Sequence, residues 1–529
     1  MTTQNLVHAS KRLRHLKLPL VSGVRTMVIT FSTCLRSSEG VRPRFQSQKY
    51  EVPSQLGVGA IIGHQYRGTT LLSLPTELIE MVVQEMEDDD VYSLSLLSRR
   101  LHSVALPIFI SRQPGFFEFE RLQLSKSPLK MLRAARVALF VQHLDHVTVN
   151  LTPMEPVLPM LKSLGRLFSR IEYVGSISLQ SLTFGNTLDT KQVVKGLVPF
   201  MEALQEKSCT TLRMSGITFP SERKGGQRIE ISPLTTLTTF DLHYSMLANL
   251  SIRNWIIRTI NMSPITTLCL NRVTFSAEKL SLGKDLSLLT LPFLTELSII
   301  VLDNLQFDDV SAFLCRHRGI SNLTFKCDTI INSSTPPLPK DALPLLDTLQ
   351  ATPQYIQHFL RPRDSLPNLR HVDLDPDFPL RSERIEPFPT ERLADVEDTL
   401  ACLALRDGIT SLGFFLPLDG TAITWLTRRC HPQGGKRMDV ERSLVHIKYL
   451  ELHTALRFLI NAETISLIPK WLSLFPSLQY ANFSNMLGLR SSDHEFFLRA
   501  VAEACPGIQT LQLGFVDRSA ADLRQGTEQ

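Results

Sequence analysis

Two short stretches, Leu237-Thr238-Thr239-Phe240-Asp241-Leu242 and Ile265-Thr266-Thr267-Leu268-Cys269-Leu270, carry the same six-residue pattern 28 residues apart. Apolar residues occupy the first, fourth and sixth positions of each hexamer. Successive side chains of a strand point to opposite faces, so the fourth and sixth side chains share one face and the fifth lies on the other. The pattern therefore predicts a short strand with one buried face, entered through a turn that the first apolar residue closes.

The hexamer recurs along most of the chain. Clear copies begin at positions 144, 209, 237, 265, 294, 320, 369, 409, 447, 478 and 508, and weaker copies begin at 171 and 346. From 209 to 369 the step is 23 to 29 residues, a period that is typical of a solenoid, in which each repeat buries its strand against its neighbours. The longer later steps contain the polar stretches 379–391 and 430–441, which we interpret as insertions between repeats.

Helical patterns separate the hexamers, for example at 255–260, 309–315 and 496–504, and are expected to cover the inner face of the strands. From about residue 140 to 516 the repeats resemble the strand segments of leucine-rich repeats. They depart from that family because almost none has the Asn that normally follows the strand, with Asn271 as an exception. The resemblance implies an α/β fold in the form of one continuous curved solenoid.

A different pattern precedes the repeats and begins with Leu74-Pro75-Thr76-Glu77-Leu78. Pro75 suits the first turn of a helix, and the carboxylate of Glu77 lies near the positive end of the helix dipole. The acidic run 87–90 supplies first-turn carboxylates for a second helix, and Pro107 is expected to end the last helical run. We predict two or three short amphipathic helices with an apolar face left for a partner, because so small a module buries little surface.

This segment resembles an F-box, most closely that of fungal F-box proteins. The resemblance implies docking to the Skp adaptor of a cullin–RING ubiquitin ligase, without catalytic chemistry. Val91 and the acidic run 87–90 depart from the family pattern. The residues that match the family's adaptor-binding positions are Leu74, Pro75, Leu78, Val82, Leu94, Leu97 and Ser98.

Composition indicates a soluble protein of more than one domain, with 43% hydrophobic and 20% charged residues in 529. Residues 1–60 carry a net charge of +7 and the remainder −2, so the body of the chain has no excess of basic residues for nucleic acid, and no apolar stretch is long enough to span a membrane. We predict neither nucleic acid nor membrane as a partner. The expected domains are a basic, disordered arm (1–70), an F-box-like helical module (71–112), connecting helices (113–139), the solenoid (140–516) and a disordered tail (517–529).

The eight cysteines form no Cys-x-x-Cys pair, which favours a reducing compartment, the cytoplasm or the nucleus. The basic arm has the composition of a mitochondrial transit peptide, so mitochondrial import is the alternative location. A disordered arm and an over-extended gene start remain open as further interpretations of this segment.

Motifs for catalysis, cofactors and metals are incomplete. His143 and His146 lack a third ligand, and the alternating Asp373, Asp375 and Asp377 lack the glycine and final glutamate of a calcium loop. No nucleophile elbow, zinc-protease motif or phosphate-binding loop occurs. We therefore expect a non-enzymatic protein without a cofactor or metal.

Three functions are compatible with these sequence features. In the first, the chain is the substrate receptor of a Skp–cullin–F-box ligase, with the adaptor and cullin as partners and an unidentified protein as target. In the second, it is a repeat scaffold outside any ligase, and Leu78, Val82 and Leu97 would then be packed away and not exposed. A third, an organellar hydrolase or transferase, rests only on the basic arm.

The predicted target site is the outward face of the strands. In each hexamer the fifth residue and the residues flanking the last trio point outward, so stacking aligns them in columns on the concave face. Tyr449 and Tyr480 stand one repeat apart beside polar groups, a composition typical of recognition surfaces. The columns contain Arg213, Asp241, His243, Asn271, Lys326, His371, Asp373, Asp375, Tyr449, Glu451, His453, Tyr480 and Asn482.

Overall fold

A computed structural model describes most of the chain from residue 71 onward. The described ranges are 71–113, 117–118, 120–124, 128–150, 157–180, 190–215, 231–243, 246–247, 250–271, 282–301, 305–327, 331, 335–362, 364–375, 390–416, 420–430, 440–454, 462–483, 493–514 and 516–525. The predicted arm at 1–70, residue Asp377 and nearly all of the two predicted insertions lie outside the described residues. None of the described helices combines the length and the apolar character that a bilayer span requires.

The chain divides into two compact units, residues 1–112 and 113–529. The described part of the first unit, the helical module, contains a 3-10 turn at Leu71–Ser73 and three helices. These are α1 (Thr76–Gln84), α2 (Asp88–Ser95) and α3 (Arg99–Ser111). The predicted set of short helices is confirmed.

Local chemistry explains where these helices begin. Pro75 precedes α1 with an extended backbone, and Asp88–Asp90 place three carboxylates in the first turn of α2, where the helix dipole favours them. The hydroxyl of Ser98 caps α3 by accepting a hydrogen bond from the Leu101 N–H at 3.2 Å. The module thus has a defined start for each helix.

Arg112 closes the helical module. Its guanidinium donates to the main-chain carbonyls of Val83 and Gln84 at 3.0 and 2.6 Å, at the C-terminal end of α1. It also donates to the carbonyl of Met86 at 2.6 Å and lies 3.3 Å from the Asp88 carboxylate. One side chain therefore satisfies carbonyls that a helix end leaves without intrahelical partners.

The prediction that Pro107 ends the helical run is wrong, because α3 continues through it to Ser111. A proline inside a helix costs about 3 kcal/mol. Leu106 and Phe109, on either side of Pro107, are fully buried, and the Phe109 ring contacts that of Tyr92 at 5.3 Å between centroids. Burial of such side chains contributes about 2 kcal/mol each and outweighs the local cost.

The second unit, the repeat region, alternates strands with helices. Its strands are β1 (Phe117–Glu118), β2 (Arg121–Leu124), β3 (His143–Asn150), β4 (Tyr173–Gln180), β5 (Thr211–Ser215), β6 (Thr239–His243), β7 (Thr267–Asn271), β8 (Glu296–Val301), β9 (Asn322–Cys327), β10 (Thr348–Ala351), β11 (His371–Leu374), β12 (Ser411–Leu416), β13 (Tyr449–Thr454), β14 (Tyr480–Asn482), β15 (Thr510–Leu513) and β16 (Val516–Ser519). Its helices are α4 (Pro128–Val137), α5 (Val157–Arg170), α6 (Thr190–Gln205), α7 (Leu250–Met262), α8 (Leu282–Ser287), α9 (Phe307–Arg316), α10 (Pro353–Leu360), α11 (Thr390–Leu403), α12 (Gly420–Cys430), α13 (Val440–Ser443), α14 (Ala462–Leu472), α15 (His494–Ala504) and α16 (Ala520–Gln525).

All the strands form one sheet in strict chain order from β1 to β16. Pairing is parallel from β2 to β15, and the two end pairs, β1–β2 and β15–β16, are antiparallel. The prediction of one continuous solenoid, and not several separate domains, is confirmed. The expected helices at 255–260, 309–315 and 496–504 lie within α7, α9 and α15.

The hexamer residues that were predicted to point inward form the core. Leu268 and Leu270 of β7 are fully buried, as are the equivalent Leu212, Met214, Phe240 and Leu242 of the two preceding strands. Helices cover this side of the sheet, so the inward residues of successive repeats stack in continuous rows.

A ladder of hydroxyl groups, which the sequence pattern did not reveal as such, aligns the first turns of the strands. The N–H groups of Thr266 and Thr267 both donate to the Thr238 carbonyl, at 2.8 and 3.0 Å, and the Thr266 hydroxyl donates to the same oxygen at 3.2 Å. The same hydroxyl bond is made by the residues at the second hexamer position of the neighbouring repeats, Thr210, Thr238, Thr295 and Ser321. Each turn is thus tied to the one before it.

Two predicted segments differ from the structure. The stretch 113–139, expected to hold connecting helices, contains the strands β1 and β2 followed by α4. The tail 517–529, expected to be disordered, forms most of β16 and then α16 up to Gln525. Arg524 holds α16 in place, because its guanidinium donates to the main-chain carbonyls of Ala502 and Cys505 at 2.8 and 3.0 Å. The polar composition of the tail suggested disorder, but β16 pairs with β15, and α16 is tied to the C-terminal end of α15 through Arg524.

Candidate functional site

The helical module exposes an apolar surface. Its exposed large apolar side chains are Leu72, Leu78, Met81, Leu96 and Leu97, each between 44% and 53% exposed. Leu78 and Met81 lie one turn apart on α1, whereas Ile79 and Val83 on the opposite side of that helix are fully buried. The module therefore has a filled core and a second apolar face in contact with solvent, as a docking surface requires.

The predicted adaptor-binding residues differ in their exposure to solvent. Pro75, Leu78 and Leu97 are exposed, and Leu74 and Val82 are half-buried. Leu94 is 7% exposed and belongs to the core of the module, so placing it on the binding surface was wrong. Ser98 caps α3, as described above, and its hydroxyl has a structural role.

Three exposed residues of this surface were missed by the sequence prediction. Met81 lies three residues after Leu78, so helical spacing alone would have identified it. Leu72 and Leu96 lie in the 3-10 turn and at the C-terminal end of α2, where periodicity gives no guide to exposure.

Parallel register aligns the outward residues of the repeat region in three rows. Row A consists, from β5 to β15, of Thr211, Thr239, Thr267, Glu296, Asn322, Thr348, His371, Ser411, Tyr449, Tyr480 and Thr510. Row B consists of Arg213, Asp241, Cys269, Ser298, Thr324, Gln350, Asp373, Gly413, Glu451, Asn482 and Gln512. Row C contains His243, Asn271, Ile300 and Lys326 in β6–β9, and Phe415 and His453 in β12–β13.

Most of the predicted column residues lie in these rows and reach solvent. Arg213 and Tyr449 are exposed, and the others except His243 are half-buried. His243 is only 1% exposed, so its assignment to the accessible surface was wrong. Alternation decides the side of the sheet to which a residue points, but it does not determine how much of the side chain stays accessible.

The first polar cluster of the face lies on β6 and β7. The Asn271 amide donates to the Asp241 carboxylate at 3.2 Å and lies 3.1 Å from the Cys269 sulfur. Burial raises the pKa of Asp241, and the nearby Arg213 opposes that shift. The Asp241 carboxylate is thus paired within the sheet, whereas the buried Asn271 Oδ1 has no hydrogen-bond partner among the described residues.

A second cluster lies on β13–β15. The rings of Tyr449 and Tyr480 contact each other at 5.8 Å between centroids, and the Tyr480 hydroxyl is 2.5 Å from the Gln512 side-chain oxygen. Burial raises the pKa of Tyr480, and Asp517 and Glu451 raise it further, so the phenol keeps its proton and donates this bond. The aromatic pair is thereby held in one orientation.

Carboxylates adjoin the tyrosines. The Glu451 carboxylate accepts a hydrogen bond from the Asn482 amide at 3.2 Å and lies 3.6 Å from His453 Nε2. Next along the sheet, Asp375 forms an ion pair with Lys326. Burial raises the pKa of Asp373, with nearby His453 acting in the opposite direction.

Gly413 and Gln512 are parts of this region that the sequence prediction missed. Gln512 occupies the fifth position of the last hexamer, so the repeat pattern alone would have placed it in row B. Gly413 leaves a gap in row B between Asp373 and Glu451. A Cβ atom at Gly413 would lie only 2.7 Å from Asp373 Oδ1, so the carboxylate of Asp373 leans into this gap.

Metal ligands do not converge in the described part of the chain, where no group of three or more His, Cys, Asp or Glu side chains could hold an ion. His143 and His146 both lie in β3, and His143 pairs with Glu172 at 3.5 Å. Burial raises the pKa of the Cys209 thiol to about 12 and that of Cys505 to about 12, so neither is a reactive thiolate.

Comparison with known proteins adds to this picture. No curated protein shows significant similarity to the chain. Among solved structures, it is similar to the leucine-rich repeat-containing protein LegL7 from Legionella pneumophila, with 13% identity and a TM-score of 0.36, over 73% of this chain and 98% of that one. It is also similar to a chain of the Rad7 and Elc1 complex in yeast, with 13% identity and a TM-score of 0.35, over 79% of this chain and 90% of that one. Residues 71–106 match the family model of the F-box domain. Residues 71–106 therefore form a short helical F-box domain, and an α/β solenoid of parallel strands and helices follows it.

Proposed function

We propose that this chain is the substrate-recognition subunit of a Skp–cullin–F-box type ubiquitin ligase. Its F-box domain docks a Skp-type adaptor, through which it joins the cullin, and its repeat region holds the protein target. In this role the chain contributes no catalytic group. It determines which protein is brought to the ligase.

One observation carries the proposal: the residues that match the F-box family also expose an apolar surface. Leu78 and Leu97 lie within the matched residues 71–106 and are each 45% exposed. A scaffold outside a ligase was expected to bury both. Their exposure supports the docking function, because a small domain with a filled core gains nothing from a second apolar face unless a partner covers it.

The strand face supports the second half of the proposal. It presents polar and aromatic side chains in aligned rows on one sheet, and the side chain of Tyr449 is exposed to solvent. Repeat proteins use such continuous faces to hold other proteins. We assign target binding to rows A, B and C.

The test is a binding measurement between the purified full chain and a recombinant Skp-type adaptor. We expect the double variant Leu78→Glu/Leu97→Glu to bind at least about 100-fold more weakly, because two charges would have to be buried in an apolar interface. The matched control is Phe293→Glu/Leu405→Glu, which places the same charges at two exposed apolar residues of the repeat region. Circular dichroism confirms that both variants keep the repeat region folded.

Undiminished adaptor binding by Leu78→Glu/Leu97→Glu would refute the docking surface. If the intact chain and a chain lacking residues 70–112 recover the same amounts of adaptor and cullin from cells, the ligase function fails and the scaffold function replaces it. Equal loss of binding in the control variant would also contradict the proposal, since the effect would then not belong to the F-box.

We place this function in the cytoplasm or nucleus, as the cysteine pattern predicts. Imaging of the tagged chain with and without residues 1–70 tests the location. Mitochondrial signal that depends on those residues would contradict it and would establish the basic arm as a transit peptide.

A further inference from the structure

The strand face changes its charge along the sheet. From β11 to β16, the described residues in the three rows and directly after β11 include Asp373, Asp375, Glu451 and Asp517, and no Lys or Arg. Asp375 is paired with Lys326 of β9, and Arg518 of β16 lies at the register position of the inward Leu511, outside the rows. The C-terminal part of the described face is therefore acidic, apart from its two histidines.

An exposed aromatic ring accompanies this charge. Tyr449 is 49% exposed, and among the described residues it is the one exposed large hydrophobic side chain that lies in a strand. Tyr480 lies beside it and is fixed by Gln512. A ring held in place with an open side is a preformed surface on which a flat group can stack, at little cost in side-chain entropy.

The spacing of these groups suits one extended cationic side chain. Glu451 follows Tyr449 by two residues on β13, a distance of about 7 Å along a strand. Asp373 and Glu451 flank Gly413, so two strand spacings of about 4.8 Å separate their positions and no side chain stands between them. Asp373 leans into that gap from one side, which leaves carboxylates near both its edges.

A cation at this position is favoured on electrostatic grounds. Burial disfavours the charged form of Asp373, and a positive charge nearby offsets that cost. Glu451 is 34% exposed and keeps a solvent-facing part despite its contacts with Asn482 and His453. The guanidinium of arginine fits better than an ammonium, because it stacks on an aromatic face and also donates in parallel to a carboxylate.

We propose that the β11–β16 part of the strand face binds a basic segment of the target, with an arginine that stacks on Tyr449 and pairs with Glu451 and Asp373. This inference rests on the proposed function, in which the repeat region holds a protein target, and it names the chemistry of that target. The N-terminal repeats are not required for arginine recognition.

The probe is a fluorescein-labelled Gly-Ser peptide that carries two arginines, measured by fluorescence anisotropy with the full chain. The matched peptide carries citrulline, which keeps the shape of arginine and lacks its charge. We expect the citrulline peptide, and the variants Tyr449→Ala and Glu451→Gln with the arginine peptide, each to bind about tenfold more weakly. The control Glu503→Gln removes an exposed carboxylate from α15, outside the three rows, and is expected to change the affinity by less than about twofold.

Equal binding of the arginine and citrulline peptides would overturn the inference. An equal loss of affinity in Glu503→Gln would also overturn it, because the loss would then reflect the overall negative charge and not this site. The F-box variant Leu78→Glu/Leu97→Glu is expected to bind the arginine peptide as the unchanged chain does. Adaptor binding without arginine selectivity would defeat this inference and leave the proposed function standing. Arginine selectivity without adaptor binding would contradict the proposed ligase function and leave the arginine site standing.

Discussion

The two halves of the strand face share one backbone and differ in what they present. In β5–β7, row A consists of Thr211, Thr239 and Thr267, whereas the same row in β11–β14 contains His371, Tyr449 and Tyr480. The inward residues do not change in this way and stay aliphatic or aromatic in both halves. A solenoid thus keeps its framework on one side of each strand and is free to vary the other, so side chains on the open face can be chosen for binding.

The largest change in the free energy of unfolding is expected at a buried ion pair in the C-terminal half of the repeat region. Glu441 is fully buried, forms a two-point ion pair with Arg429, and lies 3.3 Å from the Trp471 ring nitrogen. Glu441→Gln should lower the free energy of unfolding by about 3–5 kcal/mol, because it leaves the buried Arg429 charge without its main partner. Urea unfolding followed by circular dichroism measures the change.

The N-terminal half offers a counterpart to this pair. Asp285 is buried and accepts from Arg253 at 2.7 Å, but Arg253 remains 27% exposed and can be solvated. Asp285→Asn is therefore expected to cost less than Glu441→Gln. The exposed Glu503→Gln serves as a control, with a change within about 0.5 kcal/mol. A loss below that level in Glu441→Gln would show that the charged pair is not essential to the C-terminal framework.

A smaller effect is expected from the hydroxyl ladder of the N-terminal half. Thr266→Val keeps the shape of the side chain and removes the bond to the Thr238 carbonyl, so it should lower the free energy of unfolding by about 1 kcal/mol. Thermal unfolding gives the change, and the affinity for the arginine peptide should stay constant. Loss of peptide binding in this variant would contradict the assignment of arginine binding to β11–β16 alone.

The smallest expected change in the free energy of unfolding is an increase, and it depends on pH. Burial raises the folded-state pKa of Asp373, so the ionised carboxylate opposes folding at neutral pH, and this penalty is relieved as the pH falls through that raised pKa. Asp373→Asn should therefore be slightly more stable than the unchanged chain at pH 7, with a difference that narrows toward pH 4. It should also bind the arginine peptide more weakly.

Paired urea denaturation curves of the two chains at each pH test this, because the charged neighbours of Asp373 are the same in both chains and cancel in the difference. These neighbours are His371, His453, Asp375 and Lys326. A variant that is less stable at pH 7 would indicate that Asp373 supports the fold and is not held there for binding.

Much of the architecture followed from the hexamers. The copies from 209 to 508 each correspond to a strand from β5 to β15, since a period-2 pattern in a repeated unit specifies both the strand and its buried face. The exposed Leu78 and Leu97 were likewise predicted. Leu94 and His243 were misplaced because a local pattern predicts the direction of a side chain but not how deeply it is buried.

The sequence by itself determined the repeat, the inward and outward sides of each strand, and the F-box segment, because all three are written in residues close to one another in the chain. Only the tertiary structure decided that Tyr449 stacks beside Tyr480, that Asp373 leans over Gly413 some forty residues away, and that the polar tail joins the sheet as β16. Contacts of this kind arise from register and stacking between repeats, and a local pattern holds no information about which residue of a distant repeat will lie beside it.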